Sequence, residues 1–359
     1  MDTSVWARCD AECSPERGFY HHPSRHSAGQ PIVAGWSYSW LAQLSLSKDS
    51  WTAPLDVRRV PATDNPHSTA VAQIQDHVAT LPGEVVPTYV LDAGYDPVRL
   101  ARELGELDGE RVAVLVRLRR DRCFYADPPT PTGPKVGRPG RHGAKFACRD
   151  ATTWPEPTAA YAVDDAQYGQ VQVRAWSGLH AKTQNHPERG ANRTKPVVRG
   201  WVLLVEVSRL PGQTHVPRQL WLWWRGPGQP DLALLWRAYV RRFDLEHTFR
   251  FAKQTLNWTT PRVRHPEQAD RWTWLVLLAY TELRLARSVV ADQRLPWEAI
   301  QHGRRSGLTP ARVRQGFLEL RAWLGTPASP PKPCGRSPGR PKGTHTGPAP
   351  RCPAHKKTA

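Results

Sequence analysis

Apolar residues change their spacing twice along this chain. From about residue 30 to 120 they come in short runs parted by helically spaced stretches. "QPIVAGWSYSWLAQLSL" (Gln30 to Leu46) is dense in aromatic and aliphatic residues and predicts one or two strands. "TDNPHSTAVAQIQDHVATL" opens on cap-type residues and repeats apolar positions at helical spacing. "TYVLDAGYD" predicts a buried strand running into a loop at Asp92, and "DPVRLARELGEL" a helix capped by Asp96 with Pro97 in its first turn. "RVAVLVRLR" predicts a further strand. Strands alternating with helices imply an α/β sheet with parallel pairs.

Beyond residue 125 the spacing changes. Residues 126–160 are rich in Pro and Gly, and from Gln170 to Trp224 apolar and polar residues alternate, as in "QVQVRAW" and "RQLWLWWRG". Alternation predicts antiparallel strands, here an all-β insertion. From Pro230 the pattern is helical, and after Gly325 a Pro, Gly, Lys and Arg tail with little apolar content predicts disorder. The expected organisation is a first core part at 1–125, a Pro/Gly and β-rich insertion at 126–229, a helical completion at 230–325 and a basic tail at 326–359. Residues 1–30 read as loop.

Charge narrows the partners. Lys plus Arg is 50 against 32 acids, a net charge of +18, which favours a polyanion such as DNA. The longest apolar run, near Trp272 to Tyr280, is too short to span a bilayer, and the polar "MDTSVWARCDAEC" is no secretory signal. No membrane partner is expected. Six cysteines without a disulfide-framework spacing fit a reducing cytosol.

"YVRRFDLEHTFRFAKQTLNW" (Tyr239 to Trp258) contains no turn residue and predicts one continuous helix. At roughly 100° per residue, Tyr239, Arg242, Glu246 and Lys253 fall within a sector of roughly 60°. A carboxylate among cations stays charged and suits a divalent metal, while the cations suit phosphate. A solvated face with spaced ion pairs explains the same spacing.

The four identities and their gaps resemble the Y-R-E-K signature of bacterial insertion-sequence transposases of the DDE class. The resemblance runs from Asp2 to about Leu320 and implies an RNase H-like mixed sheet with helices, interrupted by the β-rich insertion before the glutamate helix. It implies three carboxylates around two Mg²⁺ ions, for which Mn²⁺ can substitute. Glu246 is one and Asp92, at a strand end, the second, with Asp96 as alternative. Asp2 matches the first, with Asp10 behind it. Only Met1 precedes Asp2, so the strand that should carry it is expected to be missing, and the chain to be N-terminally truncated or its start mis-assigned. Arg242 and Lys253 are implied phosphate ligands, with Tyr239 beside them. The implied partners are double-stranded DNA with terminal inverted repeats and a second copy of the chain in a synaptic complex, in the bacterial cytoplasm at the nucleoid. A non-catalytic DNA-binding remnant and a stand-alone RNase H-like nuclease are the alternatives.

Further residues concern DNA contact. Sixteen tryptophans include Trp201, Trp221, Trp223 and Trp224 in the insertion. Most read as core, while Trp223 or Trp224 is a candidate to stack on an extruded base, as relatives in the family do. Gly-Arg-Pro occurs around Arg138 and Arg340 and resembles the core of minor-groove hook peptides; a basic flexible loop explains it equally. Cys334, His345, Cys352 and His355 have the residue types of a zinc site, but their gaps match no common finger.

Overall fold

The computed structural model describes residues 1–22, 31–47, 49, 51–108, 111–130, 140–182, 197–210, 219–295, 297–298, 307–325, 339, 341–343 and 347–356. In chain order the strands before the long sheet are β1 (Asp2–Ala7), β2 (Gly18–His21), β3 (Ile32–Leu44) and β4 (Thr52–Val60). Helix α1 (Pro66–Ala79), β5 (Thr88–Leu91), α2 (Pro97–Asp108) and β6 (Ala113–Arg117) follow. Next come β7 (Cys123–Tyr125), β8 (Lys145–Ala147), β9 (Ala159–Asp165), β10 (Gly169–His180), β11 (Arg199–Val207) and β12 (Gln219–Arg225). The described helices end with α3 (Leu232–Arg241), α4 (Phe243–Gln254), α5 (Pro266–Ala286) and α6 (Pro310–Leu324). They form two compact units, Met1–Asp2 with Pro66–Arg242, and Thr3–Asn65 with Phe243–Ala359.

The first unit is built on an eight-stranded mixed sheet ordered β5-β6-β12-β11-β10-β7-β8, with β9 on β10. Strands β5 and β6 are parallel, as the strand–helix–strand pattern requires, with Val90 opposite Leu115. The expected insertion is not a separate β unit. Strand β12 pairs antiparallel with β6, Trp224 opposite Leu115, so the alternating strands prolong the α/β sheet. The reason is burial. Leu115, Val116, Leu222 and Trp223 are each fully buried, so neither strand can serve as a solvent-facing edge. One face of the sheet packs under α3, whose Leu232, Leu235, Trp236 and Tyr239 recur at helical spacing and join Val90, Leu115, Leu203 and Trp224 in one core. Asp231 caps α3 by accepting the Leu234 N–H at 3.0 Å.

The second unit has a four-stranded sheet in which β3 pairs with β1, β2 and β4. Of the expected one or two strands in Gln30 to Leu46, one forms, β3, 13 residues long. Residues 1–30, expected as loop, hold β1 and β2, and β1 opens at Asp2. Trp6, Trp36 and Trp40 with Leu245, Phe249 and Trp258 form this core. The described segment 347–356 of the tail differs from expectation, and 326–338, 340, 344–346 and 357–359 lie outside the described residues. Within 347–356, the Cys352 N–H donates to Glu12 O at 2.8 Å and the His355 N–H to Arg17 O at 2.7 Å. The buried Arg17 guanidinium donates to Ser14 O, Arg8 O, Glu12 O and Cys352 O, which holds this tail segment. A buried cation needs such acceptors, and residue composition does not reveal them. The architecture is the α/β, RNase H-like arrangement of a mixed sheet with helices.

Candidate active site

Strand β5 ends at Leu91, and Asp92 follows where the backbone leaves the sheet. Asp92 Oδ1 accepts the Gly94 N–H at 3.0 Å, closing a short turn. A Cβ on Gly94 would lie 3.1 Å from that oxygen, so glycine leaves the carboxylate its room. Asp96 is otherwise engaged. Its carboxylate accepts the Arg99 N–H at 2.8 Å as the cap of α2 and pairs with Arg122 at 3.2 Å. The loop between them is held from α1, where His67 Nε2 accepts the Asp96 N–H at 2.5 Å.

Asp2 follows a residue that is bonded to β5. The Met1 amino group, buried, donates to Val90 O on β5 at 2.7 Å. Its pKa falls to about 6, first through burial, with Asp2 and Asp92 opposing and Arg242 adding to the fall. Asp2, Arg242 and Asp92 are all near enough to act electrostatically on this amino group. Asp10, by contrast, sits in an exposed turn and pairs with Arg8 at 3.3 Å.

Arg242 Nη1 lies 2.6 Å from Asp2 Oδ2, with side-chain exposures of 7% and 14%. It also stands 5.8 Å over the Tyr239 ring. The Tyr239 hydroxyl is buried without a well-formed hydrogen bond and faces Arg242 and Arg117. Burial raises its pKa and the two guanidiniums partly offset the rise. The single helix expected from Tyr239 to Trp258 is broken. Helix α3 ends at Arg241, the Arg242 N–H bonds to Tyr239 O at 3.1 Å in a tightened last turn, and α4 starts at Phe243. The four motif residues thus fall into two pairs. Tyr239 and Arg242 belong to the first unit, Glu246 and Lys253 to the second.

On α4, Leu245, Thr248, Phe249 and Ala252 face inward. Glu246 is on the exposed side in the first turn, where the helix dipole favours a carboxylate. Arg250 and Lys253 follow at helical spacing on that side, and the Lys253 ammonium stands 5.6 Å over Trp258. Among the described residues no three His, Cys, Asp or Glu side chains are grouped closely enough to hold a metal ion. Asp2 and Asp92 offer hard oxygen donors of the kind Mg²⁺ and Mn²⁺ prefer.

A cavity of about 190 Å³ opens at the ends of β10, β11 and β12, lined by Gly178, Arg199, Gly200, Trp201, Trp224, Arg225 and Gly226. Trp201 and Trp224 are direct cross-strand partners. Trp223 is fully enclosed, with its ring over Gly200, so the expectation that it contacts DNA is corrected to a packing role. Arg199 is held by Asp127 at 2.9 Å. This cavity had no signal in the sequence beyond the tryptophans themselves. Arg138, Arg340, Cys334 and His345 lie outside the described residues, while Cys352 is a free thiol.

Asp92, just past β5 of the mixed sheet, and Asp2, at the start of β1 in the four-stranded sheet, are carboxylates of the kind a nuclease-type, phosphoryl-transfer protein uses. A family model described as DDE superfamily endonuclease matches residues 1–182 of the 359. The chain belongs to this family, whose members use divalent metal ions and act on DNA. The matched stretch contains Asp2 and Asp92 and stops before Glu246. No curated protein matches the sequence. Among the described residues no helix is long and apolar enough to cross a membrane.

Proposed function

We propose that the chain is a DNA transposase that nicks element ends and transfers the freed strand. The observation that supports this reading is Asp92 at the end of β5, with Asp2 paired to Arg242, in a chain of the DDE superfamily endonuclease family. In this reading Asp2, Asp92 and Glu246 hold two Mg²⁺ ions, which Mn²⁺ can replace. Such ions supply Lewis acidity for in-line displacement at phosphorus. The chain's own residues do the rest. Arg242 offers a planar pair of donors for a phosphate, Lys253 a mobile point charge, and Tyr239 a buried phenol that backs the guanidinium. Trp201, half-buried at the cavity with the buried Trp224 behind it, provides an aromatic face for an extruded base between Arg199 and Arg225. The substrate is double-stranded DNA with terminal inverted repeats, the working form a dimer of this chain, and the location the bacterial nucleoid. The Gly-Arg-Pro segments at Arg138 and Arg340 add phosphate contacts.

The test uses a supercoiled plasmid carrying the DNA that flanks this coding sequence. Mg²⁺-dependent nicking at the repeat ends is expected, with joined products when target DNA is added. Asp92→Asn and Glu246→Gln should each lower the rate at least about a hundredfold while DNA binding persists. Nicking that survives both substitutions removes these carboxylates from the chemistry. Binding without nicking by the wild-type chain favours the non-catalytic remnant, and nicking without joining a simple nuclease.

A further inference from the structure

We infer that helix α5 is a contact surface between two copies of this chain, which pack antiparallel along it across a twofold axis. This surface rests on the dimer of the proposed function and names its interface. Its test needs neither metal nor DNA.

Helix α5 carries apolar residues on two faces. Val276, Leu277, Tyr280 and Leu283 are buried in the core of its own unit. On the other side Trp274, Leu275, Leu278 and Leu285 are 49%, 57%, 56% and 69% exposed. A helix at a bare surface turns polar residues to solvent. A run of large apolar side chains in their place marks a face that another surface covers.

Spacing defines the kind of surface. Gln268, Arg271, Leu275, Leu278, Glu282 and Leu285 are all exposed and follow at alternating steps of three and four. That alternation averages 3.5 residues, the repeat that keeps one seam turned to a partner helix. The helix has 21 residues, about 30 Å of length at 1.5 Å per residue, so the seam is several turns long.

Residue order defines the partner. In a twofold contact, residue i meets residue j and j meets i. Set α5 antiparallel to its copy, with the axis level between Val276 and Leu277. Leu275 then faces Leu278 of the second copy, Arg271 faces Glu282 of the second copy, and Gln268 faces Leu285 of the second copy. Each pair occurs twice. Leucines meet in the middle and opposite charges flank them at both ends. A parallel arrangement would instead set Arg271 on Arg271 and Glu282 on Glu282, which like-charge repulsion disfavours. The seam is therefore complementary to itself in one direction only. Two copies with a net charge of +18 each repel at a distance, and the crossed Arg271–Glu282 pairs put attraction where the copies touch. Trp274 adjoins the seam and covers its edge.

The experiment is sedimentation velocity on the full chain at several micromolar concentrations, without DNA and in metal-free buffer. Wild type is expected to be a dimer. Leu278→Glu should weaken it by about a hundredfold or more, because two leucine contacts are lost. Arg271→Glu and Glu282→Arg should each weaken it by about tenfold, and the two reversals combined should recover most of that loss, since opposite charges again face each other. These side chains are exposed in the single chain, and circular dichroism checks that each variant keeps its helices. A monomeric wild type overturns the inference. So does a dimer that none of the variants weakens, which leaves the proposed dimer standing on another surface. Charge reversals that weaken the dimer singly, with no recovery in combination, overturn the antiparallel pairing and the inference with it. Strand nicking and joining on the plasmid decide the transposase reading separately from all of these outcomes.

Discussion

Gly200 shows what a single position can carry. A Cβ there would sit 2.5 Å from the Trp223 ring, closer than any real contact. The indole is fully buried between β11 and β6 partners and cannot retreat. Gly200→Ala should therefore cost about 1–3 kcal/mol of stability, seen as a lower midpoint in a denaturant titration. An unchanged midpoint would mean that the Trp223 ring has room that its packing denies. The identity of Asp92 as the strand-end carboxylate was legible from "YVLDAGYD" because strand, glycine and helix cap lie within a few residues. The role of Gly200 was not. It depends on which side chain the opposite strand presents, and pairing partners lie outside any local window.

At the scale of elements, α1 holds the loop that carries Asp92. His67 can accept the Asp96 N–H only while Nε2 is unprotonated. Its pKa is lowered first by burial and then by Arg99, with Asp96 and Glu103 opposing. The sign follows directly. A histidine that the fold keeps neutral contributes stability that is fully present above its unfolded value and lost as pH falls through the lower folded value. The melting temperature should therefore drop below pH 6.5, the ordinary value for histidine, on the way down through the folded value. His67→Gln, whose amide oxygen accepts the same bond without titrating, should flatten that acid-side loss in thermal melts at several pH values. A wild type whose acid-side loss matches that of the variant would dissociate His67 from it. The helix break at Arg242 belongs to this scale too. Its backbone is ordinary αR, with φ −55° and ψ −28°, and no glycine or proline marks it. Nothing local announces the change of helix, which shows only in the hydrogen-bond pattern around it.

For the whole molecule, charge is the property that reaches furthest. A net +18 implies that DNA binding is driven largely by counterion release. Affinity for any duplex should fall by about a thousandfold or more between about 50 and 200 mM salt if some six or more phosphates are engaged. Fluorescence anisotropy with a labelled duplex measures the slope, and a flat response would remove the electrostatic share of the interface. Arg17 shows that not all of the positive charge is available for this. Its guanidinium is spent on four backbone carbonyls and ties the segment ending at His355 to residues 8–18.

Sequence periodicity alone determined where strands alternate, where α1, α2 and α3 start, and which acid ends β5, because those features arise from contacts between near neighbours along the chain. It also carried the spacing that resembles the transposase signature. Only the tertiary structure decided that Asp2 is paired with Arg242, 240 positions away, that β12 joins β6 in one sheet, and that the segment at Cys352 is held by a buried arginine. Those outcomes depend on which distant groups become buried together and must then satisfy one another's charge and hydrogen bonds, and no local pattern records that.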